Sequence, residues 1–407
     1  MKTNANSDVC EWLIFLTLLA NSYTMTQPKF PNTKGSIFSA VNKLVTETGA
    51  IDLSLGKTDF PCPEKLAELA ATYIRSGYNN YAPHEGIREL REVISSRVKG
   101  MYKHTYNPET EITITAGPIQ AIMTAISSVV KDEDEVILFE PAYESYAPAI
   151  ASTGARPVYV ALKQPNFHID WEEVRKMVTS KTRMIILNSP HNPTGSVLAE
   201  TDFIQLQKLI NGTNIVVLSD EVFETIVFDN STHQSIAKFD KLAERSFIVS
   251  SFGPVFNING WGLAYILGPE KLMNEFRRIQ QFQIYNVNTP LQHALSEYLL
   301  TEDSKKDISE MYQGKRNYFN RLLGGSLFKI VPSQGSYFEV LDYSAISDEL
   351  DTDFTYRLAT DYGVGVIPMS AFMHEKNKMK LVRICFAKNN ETLEIAAERL
   401  RAVPCLK

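Results

Sequence analysis

From about Pro61 to Ala294, short apolar runs alternate with longer amphipathic segments, and this alternation limits what the chain can fold into. Val136–Phe139, Pro157–Ala161, Met184–Leu187, Ile215–Leu218, Phe247–Val249 and Leu263–Leu267 read as strands. Ile119–Val130 and Phe203–Ile210 carry apolar residues at helical spacing. Strands alternating with helices build βαβ units, and hence a mainly parallel sheet covered on both faces. After residue 294 the pattern changes. Asp307–Leu323 reads as a charged amphipathic helix, followed by "SYFEVLD", a helix near Phe354–Asp361, "MKLVRICFA" and a closing helix from Glu391. The expected architecture is α/β: a large domain over residues 61–294, and a smaller α+β domain built from residues 25–60 and 295–407.

The 407 residues suffice for two domains with a sizeable core. A net charge of -6 argues against a nucleic-acid partner, which needs a basic face. Cys10, Cys62, Cys385 and Cys405 are scattered and form no CxxC pair. No metal or redox motif is expected from them, and reduced thiols in a cytosolic protein are. Residues 1–24 read as a leader or a mis-assigned start. Their apolar run, "WLIFLTLLA" at Trp12–Ala20, is shorter than the roughly 20 residues that span a bilayer. Asp8 and Glu11 offset Lys2 where a signal peptide wants positive charge, and Met25 opens an ordinary cytosolic N-terminus. The expected location is cytoplasmic, with no membrane partner; the alternative is export through a signal peptide at residues 1–22.

Ligands of open α/β sheets bind beyond the carboxyl ends of the strands. "MIIL" leads into "NSPHNPTG" (Asn188–Gly195), "IVVLS" into "DEVFE" (Asp220–Glu224), and "FIVSS" into "FGPVFNINGWG" (Phe252–Gly262). Converging Asn, Asp and Ser residues make a polar floor for a small heterocyclic or charged ligand.

These motifs, in this order, with "PSQGSYF" and "VRICF" near the C-terminus, resemble the fold-type I, pyridoxal-phosphate-dependent class I/II aminotransferases. The likeness is greatest to the methionine and kynurenine aminotransferases and covers nearly everything from Met25 to Lys407. It implies a seven-stranded-type sheet and an active site built at the interface of a homodimer. It also implies roles for single residues. Asp220 matches the aspartate that holds a proton on the cofactor's pyridine nitrogen and makes the ring an electron sink. Asn192 matches the contact to the ring's phenolic oxygen, and Tyr143 the aromatic residue stacked on the ring. Arg383 matches the two-pronged clamp on the substrate's α-carboxylate, and Gly56 the glycine facing that carboxylate. Tyr81 matches a tyrosine that reaches the phosphate from the partner subunit.

The same resemblance exposes departures. The family's signature, Ser-x-Gly-Lys-Thr-Phe-Ser-x-Thr-Gly-Trp-Lys/Arg, places Ser251, Gly253, Phe256, Gly260 and Trp261 in register without a gap. Pro254 then falls on the Schiff-base lysine, Val255 on the threonine after it, and Gly262 on the closing basic residue that contacts the phosphate. At the phosphate-binding helix start, Pro118 has no N–H and Ile119 puts a branched apolar side chain where a polar one is usual. Phe223 replaces the tyrosine that bonds the phenolic oxygen. Proline supplies neither an amine for the cofactor nor a base to move a proton.

The expected function is therefore that of an aminotransferase homologue, catalytically defective, with pyridoxal phosphate bound weakly or not at all. It keeps a clamp for the carboxylate of an amino acid or 2-oxo acid and forms a homodimer, or a heterodimer with an active relative. The alternative is an active pyridoxal-phosphate-dependent aminotransferase acting on methionine, aromatic or related amino acids. Lys57, next to Gly56, is the basic novelty near the presumed site.

Overall fold

The structure, a computed structural model, describes residues 35–301, 308–375 and 379–406. The leader, Cys10 and the start at Met25 lie outside the described residues. After a two-residue strand β1 (Ile51–Asp52) come β2 (Ile112–Thr115), β3 (Glu135–Glu140), β4 (Arg156–Ala161), β5 (Thr182–Asn188), β6 (Val216–Asp220), β7 (Ser246–Ser251) and β8 (Ala264–Leu267). The last seven form one sheet in the order β2-β8-β7-β6-β5-β3-β4. Pairing is parallel except around β8, which runs antiparallel to both β2 and β7. The expected α/β architecture, with its mainly parallel seven-stranded sheet, is present.

Successive side chains on a strand face opposite ways, and the central strands are buried on both faces. On β5, Ile185 and Leu187 join one apolar cluster, whereas Met184 and Ile186 join another. That is why these strands read as unbroken apolar runs rather than alternating ones. Burying an aliphatic side chain of this size contributes about 1.5–3 kcal/mol. Helix Gly117–Val129 covers the second face with Ala121, Ile122, Ala125, Ile126 and Val129, a spacing that forms one stripe.

The C-terminal part contains β9 (Lys329–Val331), β10 (Phe338–Asp342), β11 (Val364–Gly365), β12 (Ile367–Pro368) and β13 (Leu381–Cys385). Four of them form an antiparallel sheet in the order β12-β13-β10-β9, and β11 pairs in parallel with β1 from the other end of the chain. A third apolar cluster lies here, including Leu341, Val382, Ile384, Leu358 and Leu393. The expected helices near Phe354–Asp361 and from Glu391 are Asp351–Asp361 and Asn390–Arg401.

Sequence reasoning missed β2. "ITIT" is only four residues long and half threonine, yet every residue is buried. It is an edge strand pinned by β8 on one side, and its contribution is tertiary rather than local.

Candidate active site

Asn188, Asp220 and Ser251 are the last residues of β5, β6 and β7, so three neighbouring parallel strands end on one cavity of about 320 Å³. The polar floor expected at these strand ends is in place.

Asp220 is buried. Its Oδ2 accepts from the Tyr146 hydroxyl at 2.5 Å, and its Oδ1 accepts from the Val222 N–H at 3.3 Å. Burial, which disfavours the charged carboxylate, pushes its pKa up to about 6 despite these donors. Asn188 connects this acid to the rest of the site. Its Nδ2 donates to the Asp220 carbonyl at 3.0 Å, and its Oδ1 accepts from the Asn192 N–H at 2.8 Å. Asn192 in turn accepts from Arg383 Nη1 at 2.7 Å.

Arg383, on β13, is fully buried yet faces no carboxylate. Nη2 donates to the Ser54 carbonyl at 2.6 Å, and Nε is buried with no hydrogen-bond partner. The guanidinium lies 3.9 Å from the ring centre of Phe338 and 5.2 Å from those of Phe38 and Phe372. Aromatic faces stabilise a desolvated cation, but less than an anion would. Burial pulls its pKa down to about 10.

Gly56 lines the cavity, its carbonyl accepting from the Tyr337 hydroxyl at 3.2 Å and from Asn259 Nδ2 at 3.4 Å. Tyr143 also lines it, 5.7 Å from Tyr146 and 6.3 Å from Phe38. Phe223 packs edge-on to Tyr337 and Phe338.

Beyond Ser251 the chain turns into a short helix, Gly253–Phe256, that presents Pro254 to the cavity. A Cβ at Gly253 would sit 2.4 Å from Asn259 Oδ1 and 3.1 Å from its Cα, so a larger residue there would displace the Asn259 side chain. The Ser251 hydroxyl accepts from the Gly253 N–H at 3.1 Å. Gly262 and Pro118 also line the cavity, and a Cβ on Gly117 would lie 3.9 Å from the Gly262 Cα, so the helix start and Gly262 adjoin. Among the described residues lining the cavity, Arg383 is the one basic residue and Asp220 the one acid.

Four residues marked in the sequence do not line this cavity. Ile119 is 43% exposed, since the helix turns its side chain outward while Pro118 and Ile122 face in. Val255 packs against an apolar cluster of the large sheet. Tyr81 is 77% exposed, its ring 4.8 Å from that of Tyr285. Lys57 points away, its Nζ donating to Asn42 Oδ1 at 3.3 Å on the exterior. The sequence alone assigns no role to Tyr146 or Asn188, although Asn188 opens the "NSPHNPTG" motif and Tyr146 stands three residues after Tyr143.

The model of the aminotransferase class I and II family matches residues 48–400. The chain belongs to that family. It is 39% identical to methionine aminotransferase of Escherichia coli (strain K12) over 384 residues, 94% of this chain and 100% of that protein. Identity to the kynurenine–oxoglutarate transaminase of Dictyostelium discoideum is 31%, covering 93% of this chain and 97% of the relative. The crystal structure of Escherichia coli YbdL, for which a methionine aminotransferase function is described, superposes with a TM-score of 0.89 at 39% identity, covering 93% of this chain and 99% of that one.

The family's pyridoxal phosphate can be tested against this cleft. Its ring half fits: Asp220 offers a buried acid for a ring nitrogen, and Tyr143 an aromatic face. Its aldehyde and phosphate find no charged partner among the described lining residues. Among the described residues no lysine lines the cavity, and Pro118, Ile122, Pro254, Gly262 and Leu263 on its lining bring no cation.

Proposed function

We propose that this aminotransferase-family protein binds an amino acid or its 2-oxo acid through Arg383, beside a floor shaped for the pyridoxal-phosphate ring, and does not hold that cofactor covalently. One observation carries the reading: among the described residues, a fully buried guanidinium with an unbonded Nε and no carboxylate hydrogen-bonded to it. An uncompensated buried charge costs several kcal/mol, and a substrate carboxylate would relieve that cost with charge-assisted hydrogen bonds. The ring, when bound, would supply an electron sink; Asp220 would hold its nitrogen, and Tyr143 and Asn192 would fix its plane and edge.

Pro254 is the basis for proposing that transamination is lost. In the gapless register with the family signature it takes the place of the Schiff-base lysine, so neither a tether nor a proton-moving amine is available there. Pro118, Gly262 and Phe223 remove further contacts, each charge-assisted one worth about 1.5–3 kcal/mol, and weak cofactor binding follows. A homodimer, or a heterodimer with a lysine-bearing relative, is part of the proposal. The aromatic pair Tyr81 and Tyr285, 77% and 69% exposed, would then be covered by the partner. So are a cytoplasmic location and the division into domains at residues 61–294 and 25–60 with 295–407.

A second reading draws on the relatives: an active pyridoxal-phosphate-dependent aminotransferase acting on methionine, aromatic or related amino acids. Near full-length likeness to enzymes with those names favours it. It requires an amine that moves into the cleft from outside.

The full chain, incubated with pyridoxal phosphate, treated with borohydride and mapped by mass spectrometry, separates the two readings. The expected result is no covalent adduct and no transamination of methionine, with phenylpyruvate still bound by wild type and bound about 30- to 100-fold more weakly by Arg383→Met. An adduct on any lysine accompanied by turnover would establish the second reading instead.

A further inference from the structure

We infer that the cleft is shaped for a single unphosphorylated ligand, with one carboxylate at Arg383 and a heteroaromatic nitrogen at Asp220. The inference rests on the carboxylate-clamp reading above and adds what the remainder of the ligand must be. Three observations carry it.

The cavity's charges are one cation and one acid, separated by a relay of two asparagines. Arg383 donates to Asn192, the Asn192 N–H donates to Asn188, and Asn188 donates to the Asp220 carbonyl. Among the described residues, neither end has a hydrogen-bonded partner of opposite charge. Arg383 keeps an unbonded Nε, and Asp220 is contacted only by a phenol and one long backbone N–H. A ligand bearing a carboxylate and a basic or N–H nitrogen answers both, whereas a simple aliphatic acid answers one.

Part of the cavity's lining is apolar. Pro118, Ile122, Pro254 and Leu263 offer no side-chain donor, and Gly262 has no side chain to reach inward. The Ser251 hydroxyl, which accepts from the Gly253 N–H, can donate one neutral hydrogen bond but brings no positive charge. A phosphate dianion placed here would lose its hydration without gaining a cation, a cost of several kcal/mol. An aromatic surface would instead gain from leaving water.

The size agrees. A cavity of about 320 Å³ lies at the small end of ligand sites, which suits a fused bicyclic acid. Phe223 and Tyr337 add aromatic surface to the cavity's lining.

Titration calorimetry on the full chain, with no cofactor added, tests this with two matched pairs. Quinoline-4-carboxylate and naphthalene-1-carboxylate differ only in the ring nitrogen; pyridoxal and pyridoxal phosphate differ only in the phosphate. The quinoline acid is expected to bind at least tenfold more tightly than the naphthalene acid, with that ratio falling to about one in Asp220→Asn. Pyridoxal is expected to bind at least as tightly as its phosphate. Equal affinity for the two acids, or a tenfold preference for the phosphate, would overturn the inference while leaving the clamp standing, provided Arg383→Met still weakens acid binding. If wild type binds neither acid, the clamp reading falls as well. Because each pair is compared first on wild type, the test survives a variant that does not fold.

Discussion

At the scale of single residues, two positions decide what could be restored. Pro254→Lys returns an amine to the cavity wall, and burial there would lower the amine's pKa toward neutrality. The borohydride-trapped adduct with pyridoxal phosphate is expected to appear in this variant and be absent from wild type. The companion change Gly262→Arg is harder. Gly262 has φ +62, a left-handed conformation that disfavours side chains, although the space around it is open. Adding that arginine to Pro254→Lys should cost about 1–2 kcal/mol in urea denaturation. Arg383→Met should weaken phenylpyruvate binding about 30- to 100-fold, the worth of a two-pronged charge-assisted contact, as read by calorimetry.

At the scale of elements, the strand ends do most of the positioning, and a second feature closes the carboxylate side. The segment Met369–Phe372 lies against the end of β3: the Ala142 N–H donates to the Phe372 carbonyl at 2.8 Å. Just beyond it, His374 donates its backbone N–H to Glu140 Oε1 at 2.6 Å, and its Nδ1 lies 2.7 Å from Oε2. The His374 ring stacks on Tyr159 with centres 4.0 Å apart. Glu140→Ala would unfasten this segment, and with it Phe372 beside Arg383. A loss of about 1–3 kcal/mol in thermal or urea unfolding is expected, with a several-fold weaker affinity for phenylpyruvate. The strand ends were legible in the sequence because buried parallel strands are apolar throughout and stop where polar residues begin. Facing was less legible. Ile119 and Val255 stand beside residues that do line the cavity, and a family register gives order along the chain without giving the direction of each side chain. Tyr146 escaped notice for a similar reason: in "EPAYESY" either tyrosine could have met the acid, and only the short helix Tyr146–Ala151 settles which.

At the scale of the whole molecule, buried acids set a pH dependence. Burial raises Asp220 from 3.8 to about 6 and Glu339 from 4.5 to about 7. Glu339 has one oxygen bonded to Asn320 and Ser333, and its Oε2 has no partner. For such groups the folded state binds more protons than the unfolded state between the two pKa values. Their contribution to stability is therefore full below about pH 4 and is lost as pH rises toward 7. In the double variant Asp220→Asn with Glu339→Gln this penalty disappears. Its stability relative to wild type should climb by a few kcal/mol between pH 4 and pH 7.5, measured by urea unfolding at each pH. A relative stability that stays flat or falls over that range would mean the acids are ionised in the fold.

The clamp also has a history in time. Its three parts are Ser54, Asn192 and Arg383, and the bond from Arg383 to Ser54 joins positions 329 residues apart. The Cys385 N–H reaches back in the same way to the Leu53 carbonyl at 2.7 Å. The sheet that holds Asp220 is complete once Leu267 is made, but Arg383, the proposed grip on a carboxylate, arrives more than a hundred residues later. During synthesis the protein therefore has a floor before it has a hand, and on the proposed reading a ribosome halted short of Arg383 carries a chain that cannot yet bind a carboxylate.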